Sequence, residues 1–176
     1  IRSLHATMPE AGLAAGIFIL GTLLARLLAG RSIELYGRKR MLYAGIVFYL
    51  LTTILYFSLD SLFTLYIVRF LNGIGYGIAS TATSTIVSSI IPAERRGEGI
   101  NYYALSMSLA AAIGPLLGML MQQQVSFVYI VDFCVVVLFA CLVAVVYLDV
   151  QESSLTDERK AELQAFTLAN FLEPRV

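Results

Sequence analysis

The sequence predicts an all-α polytopic membrane protein, a bundle of five transmembrane helices. Three observations carry this prediction. Of the 176 residues, 59% are hydrophobic and only 14% are charged, far from the balance of a water-soluble globular domain. The apolar residues fall into five runs, each near the roughly 20 residues a helix needs to cross a bilayer. The charges are gathered in the short stretches between those runs. The runs are too long, and alternate too little, for the strands of a membrane β-barrel.

The elements follow in order. The chain starts at Ile1 with neither a Met nor a signal peptide, and the polar start up to Glu10, with Pro9, reads as a loop. The first span covers about 11–29, apolar except for Arg26 near its end. The second covers about 41–59, and Asp60 with Ser61 forms a minimal turn after it. The third, about 62–91, is the longest and is closed by Pro92, which seldom continues a helix interior. A charged loop over 92–98 leads to the fourth span, about 99–121, whose polar edge is Gln122, Gln123 and Gln124. The fifth covers about 126–148. Residues 1–148 therefore read as one membrane domain, and 149–176 as a linker. Ser154 or Thr156 suits a helix cap there, ahead of Leu163, Phe166, Leu168, Phe171 and Leu172, a partly amphipathic stretch suited to the membrane surface.

Basic residues fix an orientation. Arg31, Arg38, Lys39, Arg40, Arg95, Arg96, Arg159, Lys160 and Arg175 fall on one side, and only Arg2 on the other. By the positive-inside rule the former side is cytoplasmic, so the N-terminus is external and the C-terminal tail internal. An external start without a signal suggests a piece of a longer chain, lacking one helix before Ile1. Zero net charge argues against a nucleic-acid partner, His5 has no partner nearby, and no metal-ligand cluster or cofactor motif occurs. Cys134 and Cys141 share a helix face seven residues apart and cannot bridge each other. No Ser/His, His/Glu or Asp/Asp constellation suggests an enzyme.

The stretch from Gly30 to Arg40 organises the chain, a charged, glycine-bracketed hairpin between the first two spans. Gly30 and Gly37 are expected to let the backbone turn. Gly30, Gly37, Arg38, Lys39 and Arg40 match the loop signature Gly-x-Leu-Ala-Asp-Arg-x-Gly-Arg-Lys/Arg-Lys/Arg. In this respect the chain resembles the major facilitator superfamily of secondary transporters, whose second and third helices that loop joins. Glu34 stands where the family usually has Asp, Leu35 where it has Arg, and Ser32 where it has Leu. A second likeness runs through Leu65, Arg69, Gly73 and Gly75, which resemble the fourth-helix signature Leu-x-x-x-Arg-x-x-x-Gly-x-Gly. Gly114, Pro115 and Gly118 match part of the fifth-helix motif of drug/proton antiporters, Gly-x-x-x-Gly-Pro-x-x-Gly-Gly. Ala110 and Met119 depart from its outer glycines. The closing stretch from Asn170 to Val176 resembles the approach to the seventh helix. The resemblance thus implies helices two to six of a twelve-helix fold, followed by part of the central linker.

The candidate site residues follow from these motifs. An arginine inside a span is costly and almost always faces a cavity or a partner. The resemblance implies proton coupling for Arg69, against a purely structural role held by backbone carbonyls and water. Asp132, the only acid deep in a span, is a candidate for a protonatable group or for an interfacial ion pair. The resemblance gives Glu34 the role of a latch to the partner half, within a charge network including Arg38, Arg95 and Arg96. The same residues read equally as solvated topology anchors. Gly73, Gly75, Gly114 and Gly118 read as close-packing points, and Pro115 as a kink suited to a rocking bundle. Arg26 is expected to snorkel or pair with a loop acid. Ser80, Thr81, Thr83, Ser84, Thr85, Ser88 and Ser89 either line water or bond to their own backbone.

The function implied is secondary active transport of a small molecule by alternating access, with proton-coupled efflux of drugs or amphiphilic compounds from a bacterial cell membrane. Its partners would be the substrate, protons, the lipid bilayer and the remaining helices of the full-length transporter. Nutrient uptake within the same superfamily, and a non-transporting scaffold or sensor, are the alternatives.

Overall fold

The computed structural model describes residues 7–148, apart from the side chains of Arg31 and Glu34. The expected linker at 149–176 and its amphipathic helix lie outside the described residues. Among the described residues there are five long helices: α1 (Met8–Tyr36), α2 (Arg38–Ile54), α3 (Leu62–Ile90), α4 (Arg96–Gln124) and α5 (Phe127–Tyr147). Each includes a segment long and apolar enough to cross a membrane, and there is no strand among the described residues.

Helix α1 differs most from expectation, starting three residues earlier and ending seven later. Thr7 caps its start: the Glu10 carboxylate accepts the Thr7 backbone N–H at 2.7 Å and its hydroxyl at 2.8 Å. Pro9 occupies the first turn, where its missing N–H costs nothing. At the other end Gly30 is inside the helix, not at a turn, because Ile33 beyond it is almost fully buried and holds the last turns in place. The turn is compressed to Gly37, whose φ of 94° is a conformation that side chains with a Cβ rarely adopt. Its N–H closes α1 on the Ile33 carbonyl at 3.1 Å, and α2 begins at the next residue.

Helix α2 tightens into a 3-10 turn over Leu55–Ser58 before the chain reverses. Ser61 then caps α3 by accepting the Thr64 N–H at 3.2 Å. Pro92 stops α3, a 3-10 turn over Ala93–Arg95 follows, and α4 runs unbroken past Pro115.

Helix α3 is the centre of the bundle, flanked by α1 and α2, and α5 packs on the far side of α2. Close approach is possible because the helices meet on glycines. A Cβ on Gly73 would run into the carbonyl of Phe18 on α1, and one on Gly75 would lie 2.8 Å from the Cα of Tyr49 on α2. Ala29, Ile33, Leu42, Ile46, Ala82, Ile86 and Val145 form the apolar core at the end of the bundle bearing the Gly37 hairpin. Helix α4 stands apart, touching α3 and α5 little and burying no residue. The apolar surface left exposed on all five helices suits a lipid environment or further helices.

Candidate functional site

The polar groups of the bundle interior gather on α3 toward the end opposite the Gly37 hairpin. Arg69 is two turns into α3 and half-buried. Its guanidinium carbon lies 5.8 Å from the centre of the Tyr56 ring, a cation–π approach across to the 3-10 turn after α2. The Tyr56 ring in turn meets Phe127 at the start of α5, with centroids 6.5 Å apart. The Arg69 Nε and the Tyr56 hydroxyl are buried with no hydrogen-bond partner among the described residues.

One turn along α3, buried Asn72 crosses to α2. Its Nδ2 donates to the Thr52 hydroxyl at 3.2 Å and to the Thr53 hydroxyl at 3.0 Å. Those hydroxyls donate onward within α2, Thr53 to the Tyr49 carbonyl at 2.7 Å and Thr52 to Phe48 and Tyr49 at 3.0 Å. On the α1 side, the Thr22 hydroxyl reaches the Gly73 carbonyl at 3.1 Å. Tyr76 closes the layer, its ring 5.7 Å from Phe18 and 6.0 Å from Tyr49. Asn72, Thr52, Thr53 and Thr22 escaped the sequence reading. A Thr-Thr pair and an Asn inside otherwise apolar spans were the available signal, since a polar group in a span needs a partner.

Chemically, this layer holds one fixed positive charge. The Arg69 guanidinium offers a planar fork of N–H donors. It can bind a carboxylate, or favour the charged form of an acid brought beside it.

The other predicted site residues are placed elsewhere. Asp132 is exposed on α5, off the stripe of Val131, Val135, Leu138, Leu142 and Val145 that turns inward, and it makes no ion pair with Arg69. The lone ion pair among the described residues joins Arg95 to Glu98 at 3.9 Å, within one turn and exposed. Arg38 is half-buried with no acid partner among the described residues, and the Glu34 side chain lies outside them. Among the described residues no network of ion pairs joins Arg38 to Arg95 or Arg96. Lys39 instead donates to the Val146 carbonyl at the end of α5, at 3.2 Å. Arg26 is exposed on α1. Gly73 and Gly75 lie at helix contacts, whereas Gly30, Gly114 and Gly118 have open space where a Cβ would go. For Gly114 and Gly118 the reason is that α4 has no neighbour along this stretch. All seven hydroxyls from Ser80 to Ser89 bond to carbonyls of their own helix.

Residues 1–175 match the Major Facilitator Superfamily. MFS transporter L2 of a Phoma species is 27% identical over 71% of this chain and 21% of its own length. Multidrug resistance protein 3 of Bacillus subtilis is 31% identical over 55% of this chain and 19% of its own. Hexose transporter HXT10 of Saccharomyces cerevisiae is 33% identical over 58% and 19%. The chain spans about a fifth of the length of each of these relatives. With the match covering nearly every residue and five membrane-length helices bearing it out, this chain belongs to the major facilitator superfamily, a family of integral membrane transporters rather than of enzymes.

Proposed function

We propose that the full-length protein is a secondary active transporter that exports drugs or amphiphilic compounds in exchange for protons. The observation that carries this reading is Arg69, a permanent cation held inside a span with its Nε buried and unpartnered among the described residues. A desolvated charge left open is costly, so the transport cycle is expected to supply it with an anionic group. An acid approaching Arg69 releases its proton, and one moving away recovers it. Alternation between those states would couple a proton to the rocking of the two halves. Likeness to multidrug resistance proteins 1 and 3 of Bacillus subtilis favours export of drugs. The match of Gly114, Pro115 and Gly118 to the antiporter motif favours it too. Nutrient uptake is the second reading, favoured by the likeness to the yeast hexose transporter HXT10.

The test uses the full-length product in inverted membrane vesicles with a panel of fluorescent cationic compounds and, separately, labelled hexoses. Under an imposed pH gradient, cationic compounds should accumulate. Arg69→Ala should abolish accumulation, and Arg69→Lys should restore part of it. Gradient-independent hexose equilibration, with no uptake of cations, would replace export by the second reading. In this reading Asp132, exposed on α5, takes no part in coupling, so Asp132→Asn should retain most of the activity.

A further inference from the structure

Where α2 begins and α5 ends, the two helices leave an open cavity of about 460 Å³ lined by Lys39, Arg40, Tyr43 and Val146. Its depth along both helices is the level of one membrane surface, because α2 enters its apolar run just beyond Arg40 and α5 leaves its own at Tyr147. The lining is divided by chemistry. Lys39 and Arg40 supply two cations, and Tyr43 and Val146, both well exposed, supply an aromatic ring and an aliphatic wall. The Lys39 ammonium is held at the rim by its bond to the Val146 carbonyl, which uses one of its three donors. Neither Lys39 nor Arg40 makes an ion pair among the described residues.

We propose that this cavity binds an anionic phospholipid of the adjoining leaflet, with the headgroup phosphate between Lys39 and Arg40 and acyl chain along Tyr43 and Val146. Cations at the helix ends sit where the headgroups of a bilayer lie, and each attracts anionic lipid. A soluble phosphate would satisfy the cations and leave the apolar wall unused, whereas a phospholipid satisfies both. The mixed wall therefore selects the lipid. Lys39 would then link a lipid to the α2–α5 contact, so that binding stiffens the hairpin end of the bundle.

The experiment is native mass spectrometry of the full-length protein titrated with dioleoyl phosphatidylglycerol or dioleoyl phosphatidylcholine. The wild type should retain phosphatidylglycerol over phosphatidylcholine. Lys39→Gln with Arg40→Gln should lower the retained phosphatidylglycerol roughly thirtyfold, as expected for losing two interfacial cations. Arg95→Gln with Arg96→Gln removes the same charge from the other loop, outside the cavity lining, and should change the site-bound lipid less than about twofold. Val146→Glu, which sets an acid on the rim without removing a cation, gives a second route and should also weaken retention. Millimolar glycerol phosphate should leave the lipid in place. The proposal fails if both the glutamine pair and Val146→Glu retain phosphatidylglycerol like the wild type. It fails equally if the Arg95/Arg96 pair loses as much, if the two lipids bind alike, or if glycerol phosphate displaces the lipid.

Discussion

At the scale of single residues, the interior of this bundle is held by a few polar bonds and a few missing side chains. Asn72 makes both of its bonds across the α2–α3 contact, so Asn72→Leu should lower stability by about 1 kcal/mol, the usual worth of such bonds between membrane helices. A shift of a few degrees in thermal unfolding would report it. Gly75 is a harder constraint. Its Cβ position is 2.8 Å from the Tyr49 backbone, which has no flexible end to move aside. Gly75→Val should cost about 2 kcal/mol or more and deplete the folded, monodisperse fraction on size exclusion. Gly73 and Gly75 lie at helix contacts, whereas Gly114 and Gly118, read from the sequence in the same way, have open space beside them. The company of Arg69 was not legible in the sequence. Its partner ring comes from a 3-10 turn, and nothing in the sequence says that Tyr56 would swing toward it. The exposure of Asp132 was hidden for a related reason: depth in the membrane can be counted from a span's end, but the face presented depends on which helix becomes the neighbour.

At the scale of elements, the Gly30–Arg40 stretch separates what pattern can give from what packing decides. Charge clustering and two glycines marked a hairpin, and a hairpin is there. Which glycine turns was decided by Ile33, whose burial extends α1 past Gly30. The two glycines should therefore respond oppositely to alanine. Gly37→Ala places a Cβ at a φ of 94° and should destabilise by about 1–2 kcal/mol. Gly30→Ala adds a methyl in open space within a helix and should be neutral or stabilise by up to about 1 kcal/mol. Thermal unfolding of the two variants side by side checks the sign. If Gly30→Ala is the more damaging of the pair, the hairpin turns where the sequence alone suggested.

At the scale of the whole molecule, the chain supplies a well-packed trio, α1, α2 and α3, with α5 added to α2 and α4 standing off. The number of helices and their membrane character were legible, since length and hydropathy alone determine them. Their arrangement was not, because lipid-facing and protein-facing surfaces are equally apolar. Orientation is the testable property at this scale. With Cys134 and Cys141 replaced by serine, Ser61→Cys should react with an impermeant maleimide applied outside intact cells, and Gly97→Cys should react only after permeabilisation. The reverse pattern would invert the topology that the basic loops indicate.

The C-terminal half of α3 presents hydroxyls that are each already bonded to a carbonyl one turn back. Such a face is amphibious. Covered by another helix, it strands no donor; opened to water, it still offers lone pairs to the solvent. The free-energy difference between its wet and dry states is therefore small, which is what the proposed transport cycle would ask of a surface flooded and drained in turn.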